Sequence, residues 1–144
     1  MNTTTKNTAG RAPRSSELTG ISESDRSRVL VQLSEGENDP GAVLLAHLLA
    51  VEAVHGGAET AIALSKGGIC LAIEGAASDI EIAGAPEVGE LQRRFLELGG
   101  RYLVSSVCVE VSDLGGAAWV PGVEVVGPTR VLEFAAAGAT ILSY

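Results

Sequence analysis

Strand-like and helix-like blocks alternate regularly along residues 29–144, and this pattern constrains the fold more than any other feature of the chain. Short runs rich in β-branched and aliphatic residues lie between longer segments that end in glycine pairs. The predicted strands are residues 29–33, 59–65, 102–107, 123–126 and 140–143. Alternation of this kind is typical of parallel strands with helices on both faces. The predicted fold class is therefore α/β, a three-layer αβα arrangement around a five-stranded, mainly parallel sheet that is flavodoxin-like in general shape.

Helix signals occupy the segments between these strands. The first helix is predicted to begin after Asp39, an N-cap acceptor followed by Pro40, and to end at Gly56 and Gly57. Apolar residues recur at helical spacing after Pro86, which predicts an amphipathic helix that ends at the glycines 99–100. Further helices are predicted at residues 69–76, from 108 to the glycines at 115–116, and at 128–137.

The length of 144 residues corresponds to one domain. Hydrophobic residues make up 46% of the chain, enough for a packed core, whereas aromatic residues make up only 3%, so aliphatic side chains must fill that core. The first 28 residues are rich in Thr, Ser, Asn and Gly and contain five basic and three acidic residues. Such a segment buries too little apolar surface to offset the entropy lost on ordering. We therefore predict a disordered tail over residues 1–28 and one domain over residues 29–144.

Charge and composition exclude several classes of function. The formal net charge of −8 disfavours nucleic-acid binding, because phosphate contacts need clustered Lys and Arg. His47 and His55 lie about 80° apart around a helix, and two cysteines add too few ligands for a closed zinc site. No apolar run approaches the roughly 18–20 residues that span a bilayer. We expect no metal, no cofactor, no membrane partner and a cytoplasmic location.

Cys108 is the strongest candidate for a reactive residue. It follows the third predicted strand where the chain turns into a helix, and reactive groups collect at the carboxyl ends of strands in open α/β sheets. A helix N-terminus favours the thiolate, which is the nucleophile. The carboxylates of Glu110 and Asp113 are expected to raise the pKa of this thiol, and the basic residues Lys66 and Arg101 can approach it only through the fold. A buried, inert thiol is the alternative, since free cysteine is among the most buried residue types.

Six short segments resemble a known family. They are residues 57–62 (GAETAI), 67–69 (GGI), 103–114 (LVSSVCVEVSDL) with Gly116, 121–127 (PGVEVVG), the predicted helix that ends near Ala136, and 139–143 (ATILS). Spread over residues 29–144, they resemble DsrE/DsrF-like proteins, in which the position of Cys108 is that of the active cysteine. The resemblance implies a five-stranded parallel sheet and assembly into trimers or hexamers. In sulfur-relay members it also implies a cysteine persulfide that passes sulfane sulfur between proteins, without a metal or organic cofactor.

The leading hypothesis is a small sulfur carrier of sulfurtransferase type, with Cys108 as the acceptor and sulfur donor and acceptor proteins as partners. Candidate supporting residues are Ser106, Asp113, Trp119 and Cys70. Ser106, or its neighbour Ser105, can donate to a thiolate, and Asp113 fits the family pattern. Trp119 either covers the thiol or fills a gap in the core. Cys70 would act as a resolving thiol, although its apolar neighbours favour a buried one.

Two alternatives stay open for the function. An oligomeric binding or scaffold protein with the same fold and no turnover would have Cys108 buried, with an ordinary or raised pKa. A thiol redox protein would pair Cys108 with Cys70, which requires Cα atoms closer than about 7 Å. The exposure of Cys108 and the pKa of its thiol therefore discriminate between the carrier and the scaffold.

The first predicted helix is apolar on every side. Between residues 43 and 54, His47 and Glu52 are the polar side chains. A helix of this kind needs burial on more than one side, and the sheet of so small a domain covers one. We expect a subunit interface at this helix and hence a homo-oligomer. A long core helix with Ala-rich flanks is the alternative.

Overall fold

The computed structural model describes residues 3–4, 6–7 and 27–144. Thr3–Thr4 and Lys6–Asn7 form two short strands that pair with each other in parallel. The other residues up to 26 lie outside the described part of the chain, so the disordered tail over residues 1–28 stays a prediction.

A five-stranded, all-parallel sheet forms the centre of the domain. Its strands are β1 (Arg28–Leu33), β2 (Glu59–Leu64), β3 (Arg101–Ser105), β4 (Glu124–Val126) and β5 (Ala139–Ser143). The helices are α1 (Pro40–His55), α2 (Val88–Glu97), α3 (Ser106–Val111) and α4 (Pro128–Ala136), with 3-10 helices at Lys66–Ala72 and Ala77–Asp79. The α/β prediction is confirmed, and each of the five predicted strands matches an observed strand to within two residues at either end.

The strand order is β4-β3-β2-β1-β5. The chain builds the sheet outward from β1 to β4 and then returns, so that β5 pairs with the free side of β1. The carboxyl ends of all five strands therefore lie along one margin of the sheet, which we call the carboxyl edge. In open α/β sheets ligands bind outside this edge, at the point where the strand order reverses.

Successive strand residues pack on opposite faces of the sheet. On one face Val31, Ile62 and Tyr102 belong to the larger core, to which α1, α2 and α3 contribute. On the other face Leu30, Ala61 and Leu103 pack with Phe134 of α4 in a core of four buried residues. Of the helices that the structure describes, α4 is the one that contributes to this second core, so the α4 face is thinly covered.

Helix α1 begins and ends where its capping residues predict. The Asp39 side chain accepts a hydrogen bond from the backbone N–H of Ala42 at 3.2 Å, and Gly57 adopts a φ of +97°, which favours glycine. Leu45 and Leu49 of this helix are 50% and 37% exposed, whereas Val51 is buried. Within residues 27–144, no helix has the length and apolar composition needed to cross a membrane.

The segment after β2 differs from the prediction. A short helix was expected at residues 69–76, and the chain forms a 3-10 helix that begins and ends earlier, at Lys66–Ala72. Gly68 lies so close to the end of β1 that a Cβ atom there would come within 2.4 Å of the Leu33 carbonyl oxygen. This close approach starts the 3-10 helix earlier, directly after β2, and packs Ile69 and Ala72 against the larger core.

Candidate functional site

Cys108 lies at the carboxyl edge of the sheet, three residues after the end of β3. Ser105, the last residue of β3, is the N-cap of α3, and its Oγ accepts the backbone N–H of Cys108 at 3.2 Å. Serine is among the preferred N-cap residues because its hydroxyl satisfies an otherwise unpaired N–H of the first turn. This cap holds Cys108 in the first turn of α3, where its side chain is half-buried.

A contact to the sulfur atom itself comes from the segment that follows the neighbouring strand β2. The backbone N–H of Lys66, two residues after β2, donates to Sγ of Cys108 at 3.2 Å. Lys66 has a φ of +50°, a left-handed conformation that costs a non-glycine residue on the order of 1–3 kcal/mol. Strained backbone of this kind persists only where its surroundings enforce it. Lys66, whose backbone is strained, is thus the residue that donates to the thiol of Cys108.

These contacts lower the pKa of the Cys108 thiol below its ordinary value. The main cause is the hydrogen bond with the Ser105 side chain, followed by the N–H of Lys66, and the ammonium of Lys66 acts in the same direction. Partial burial opposes the shift but does not reverse it. Glu110 and Asp113 were expected to raise this pKa in opposition to the helix dipole; both carboxylates are exposed, and neither is among the groups that shift the pKa of the thiol.

Lys66 and Arg101 were expected to approach the thiol only through the fold, and the fold brings Lys66 to it but not Arg101. Lys66 contacts Cys108, as described above. Arg101 lies at the amino end of β3, where its guanidinium pairs with the Glu59 carboxylate at 2.8 Å. The strand therefore separates Arg101 from the thiol at its other end.

The candidate supporting residues are distributed unevenly around Cys108. Ser105, and not Ser106, makes the hydrogen bond with Cys108; Ser106 is the half-buried first residue of α3. Asp113 is exposed beyond the end of α3, with a φ of +57°. Trp119 is half-buried, forms an isolated bridge with Ile73 and packs against the larger core, which fits the gap-filling interpretation.

Cys70 is exposed, so the prediction of a buried thiol is wrong. The physical reason is the 3-10 helix, which has three residues per turn. Ile69 and Ala72, which are three residues and hence one turn apart, are both buried. Gly67 and Cys70, also one turn apart, are both exposed. Both cysteines are free thiols.

A pocket of about 530 Å³ lies on the α4 face of the sheet, beside residues that neighbour Cys108. Ser65, Lys66, Ser105 and Val107 line it, so it shares two residues with the immediate surroundings of Cys108. Sequence reasoning missed this pocket. The available signal was the small residue Ala63, which stands in β2 where a large apolar side chain would fill the thinly covered face.

His47 belongs to a satisfied polar cluster in the larger core. Its Nδ1 bonds with the Val43 carbonyl at 2.8 Å and its Nε2 with the Tyr102 hydroxyl at 2.6 Å. Gln92 Nε2 donates to the same hydroxyl at 3.1 Å and to the Leu71 carbonyl at 2.7 Å. Burial lowers the pKa of His47 and raises that of Tyr102.

The buried His47 cluster therefore fits the prediction of a core or interface histidine, and His55 is exposed at the last turn of α1. Within residues 27–144, no three His, Cys, Asp or Glu side chains are grouped so as to hold a metal ion.

The sequence matches no family model and no curated protein. Two solved structures share the fold. The YchN protein from E. coli has a TM-score of 0.60 at 11% identity, over 81% of this chain and 99% of that one. MTH1491, a protein of unknown function from Methanobacterium thermoautotrophicum, has a TM-score of 0.61 at 15% identity, over 82% of this chain and 99% of that one. At these identities the likeness shows the α/β fold alone.

Proposed function

We propose that this chain is a DsrE/DsrF-like sulfur carrier that holds sulfane sulfur as a persulfide on Cys108. The observation that carries the proposal is the environment of the thiol. Cys108 is half-buried at the carboxyl edge, receives the N–H of Lys66 and has a lowered pKa. A partly exposed thiol with a lowered pKa forms the thiolate more readily than an ordinary cysteine, and the thiolate is the sulfur nucleophile.

The chemistry consists of two exchange steps. In the first, the Cys108 thiolate attacks the outer sulfur of a donor persulfide, R–S–SH; a new S–S bond forms at Sγ, the donor S–S bond breaks, and R–S⁻ leaves. In the second, an acceptor thiolate attacks the outer sulfur of Cys108–S–SH, and Cys108 leaves as its thiolate. The sulfane sulfur moves without net oxidation or reduction. The contacts from Lys66 and Ser105 stabilise Cys108 both as nucleophile and as leaving group.

The alternatives make different demands on the same thiol. The scaffold alternative requires a buried Cys108 with an ordinary or raised pKa, whereas the thiol is half-buried and its pKa is lowered. These observations support the carrier over the scaffold. The redox alternative needs a disulfide between Cys108 and Cys70. It stays a prediction, and mass spectrometry after mild oxidation tests it.

The carrier is proposed to act in the cytoplasm, where reduced thiols persist. It is further proposed to work as a homo-oligomer, a trimer or hexamer, with α1 at the subunit interface. Leu45 and Leu49 support this proposal, because they are one helical turn apart and leave apolar surface exposed beside the half-buried Leu48.

The test of the carrier function is sulfur loading of the full chain. The protein is incubated with a persulfide donor, and the intact mass is measured without reductant. We expect a mass increase of one sulfur atom in wild type and in Cys70→Ser, and none in Cys108→Ser. A mass increase that is lost in Cys70→Ser but kept in Cys108→Ser, or no mass increase in any of the three proteins, would rule out the proposed role of Cys108.

A further inference from the structure

The pocket beside Cys108 has the dimensions and the position of a small-molecule site. Its volume of about 530 Å³ lies within the range of about 300–1,000 Å³ that such sites occupy. It is lined from β1, β2, β3, β4 and β5, and therefore includes the point where the strand order reverses between β1 and β5. This is the location at which open α/β sheets bind ligands.

The lining divides the pocket into an apolar body and a polar end. The apolar body is formed by strand residues and by one side of α4, namely Ala63, Leu103, Val126, Val131 and Leu132. The polar end lies along the carboxyl edge: Ser65, Lys66 and Ser105 form it at β2 and β3, and Gln32, Ser34, Ser143 and Tyr144 form it at β1 and β5. A ligand that fills the pocket therefore has an apolar group and a polar head directed toward the carboxyl edge.

The charge of the polar end selects an anionic head. Among the residues of the described chain that line the pocket, Lys66 has the one charged side chain, although the whole chain carries a net charge of −8. A cation at the mouth of an apolar pocket in an acidic protein is complementary to an anion. The Ser65 hydroxyl is a hydrogen-bond donor for oxygen atoms of the same head.

The pocket and the immediate surroundings of the thiol share two residues. Lys66 and Ser105, which line the polar end, are the same residues that contact Cys108 at 3.2 Å. Val107, the residue before Cys108, lines the pocket as well and is 56% exposed.

We infer that the pocket binds the organic group of a small thiosulfonate, R–SO₂–S⁻, and presents its outer sulfur to Cys108; this rests on the proposed carrier function. The apolar R group occupies the body of the pocket. Lys66 and Ser65 hold the anionic head, and the ammonium of Lys66 offsets the repulsion between that head and the thiolate. The source of sulfane sulfur is then a small molecule that docks without a donor protein.

The transfer step balances without a further reactant. The Cys108 thiolate attacks the outer sulfur of R–SO₂–S⁻, and an S–S bond forms at Sγ. The bond between the two donor sulfurs breaks, and the sulfinate R–SO₂⁻ leaves with the bonding electron pair. Two negative charges enter the step and two leave it, as Cys108–S–S⁻ and the sulfinate, and no proton is transferred.

The test is a homologous series of alkyl thiosulfonates, from methane- to butanethiosulfonate. The rate of gain of one sulfur atom on Cys108 is followed by intact mass in the full chain with Cys70→Ser, and the same series with a small free thiol gives the intrinsic order of reactivity. We expect the rate relative to the free thiol to rise about fourfold per methylene while the pocket is being filled. Leu132→Gln should flatten this rise, and so should Ala63→Val, which reduces the space at the floor.

Leu98→Gln is the matched control, because Leu98 is 42% exposed after α2 and does not line the pocket. It should keep the full chain-length dependence. Equal relative rates along the series, or the same dependence in Leu132→Gln, Ala63→Val and wild type, would overturn the pocket inference while leaving the carrier function standing. Failure of every donor, a protein persulfide included, to load Cys108 would overturn both.

Discussion

The backbone N–H of Lys66 lies 3.2 Å from Sγ of Cys108, although the two residues are 42 positions apart in the chain. The parallel pairing of β2 with β3 explains this contact, because Leu64 pairs with Val104 in register and the two strands end side by side. The turn after β2 thus supplies a hydrogen-bond donor to the thiol that follows β3. The sheet register, rather than any local motif, assembles the site.

The first prediction concerns the titration of the thiol. Because the pKa of Cys108 is lowered in the fold, its alkylation by iodoacetamide should reach half of its maximal rate at a lower pH than in the unfolded chain, where a thiol titrates near about 8.5. The Cys70→Ser background leaves Cys108 as the single reporting thiol. A folded midpoint at or above that of the urea-unfolded protein would contradict the assignment.

Ser105→Ala should raise the pKa of Cys108, since the Ser105 hydrogen bond is the main cause of its lowering. The same change removes the N-cap of α3 and should reduce the free energy of unfolding by about 1 kcal/mol. Ser106→Ala is the control, because Ser106 lies next in the chain without being the cap. Equal alkylation profiles for the two variants would show that the cap hydroxyl does not act on the thiol.

Burial lowers the pKa of His47, which gives the stability of the fold a pH dependence. Below about pH 6.5, His47 binds a proton in the unfolded chain but stays neutral in the folded chain. The free energy of unfolding therefore decreases as the pH falls from about 6.5 to the lower pKa of His47 in the folded chain. The slope from this one group reaches up to about 1.4 kcal/mol per pH unit.

Urea unfolding between pH 8 and 5 measures this slope, with His47→Gln as the comparison. The variant lacks the titrating imidazole and should lose less stability on acidification than wild type. His55→Gln is the control, because His55 is exposed. Parallel stability curves for wild type and His47→Gln would show that His47 is not the residue responsible.

The proposed interface at α1 is tested by replacing its exposed leucines. Burying a leucine contributes about 1.5–3 kcal/mol, so Leu45→Glu with Leu49→Glu should weaken self-association at least tenfold. Solution mass by light scattering should shift from trimer or hexamer toward monomer. Leu98→Glu places the same charge on another exposed apolar residue and should leave the mass unchanged. A wild-type monomer at micromolar concentration would exclude the interface.

The order of strands and helices could be predicted because local signals marked most of the boundaries. The Asp39 cap and the glycines after α1 determine that helix, and the apolar runs of the strands are bounded by turns. The exception was the segment after β2. There the close approach of Gly68 to the end of β1 selects a 3-10 helix, and this long-range contact leaves no local signal.

The site could be predicted only in part for the same reason. Cys108 could be found because the sequence places it where a strand passes into a helix, and the structure has it in the first turn of α3. The pKa shift of the thiol could not be predicted, since the acidic residues near Cys108 in sequence are exposed and one of the two hydrogen bonds that lower the pKa comes from Lys66, 42 residues away in the chain. The pocket depends on which face α4 covers, and strand alternation alone does not specify that.

The most direct test of the carrier function is discharge of a loaded protein. Cys70→Ser protein carrying one added sulfur atom on Cys108 is freed of donor and mixed with an excess of a small acceptor thiol, and both products are identified by mass. Attack on the outer sulfur should return Cys108 as a free thiol and give the acceptor persulfide in equal amount. An adduct that persists, or a mixed disulfide between Cys108 and the acceptor, would contradict sulfur carriage by this residue.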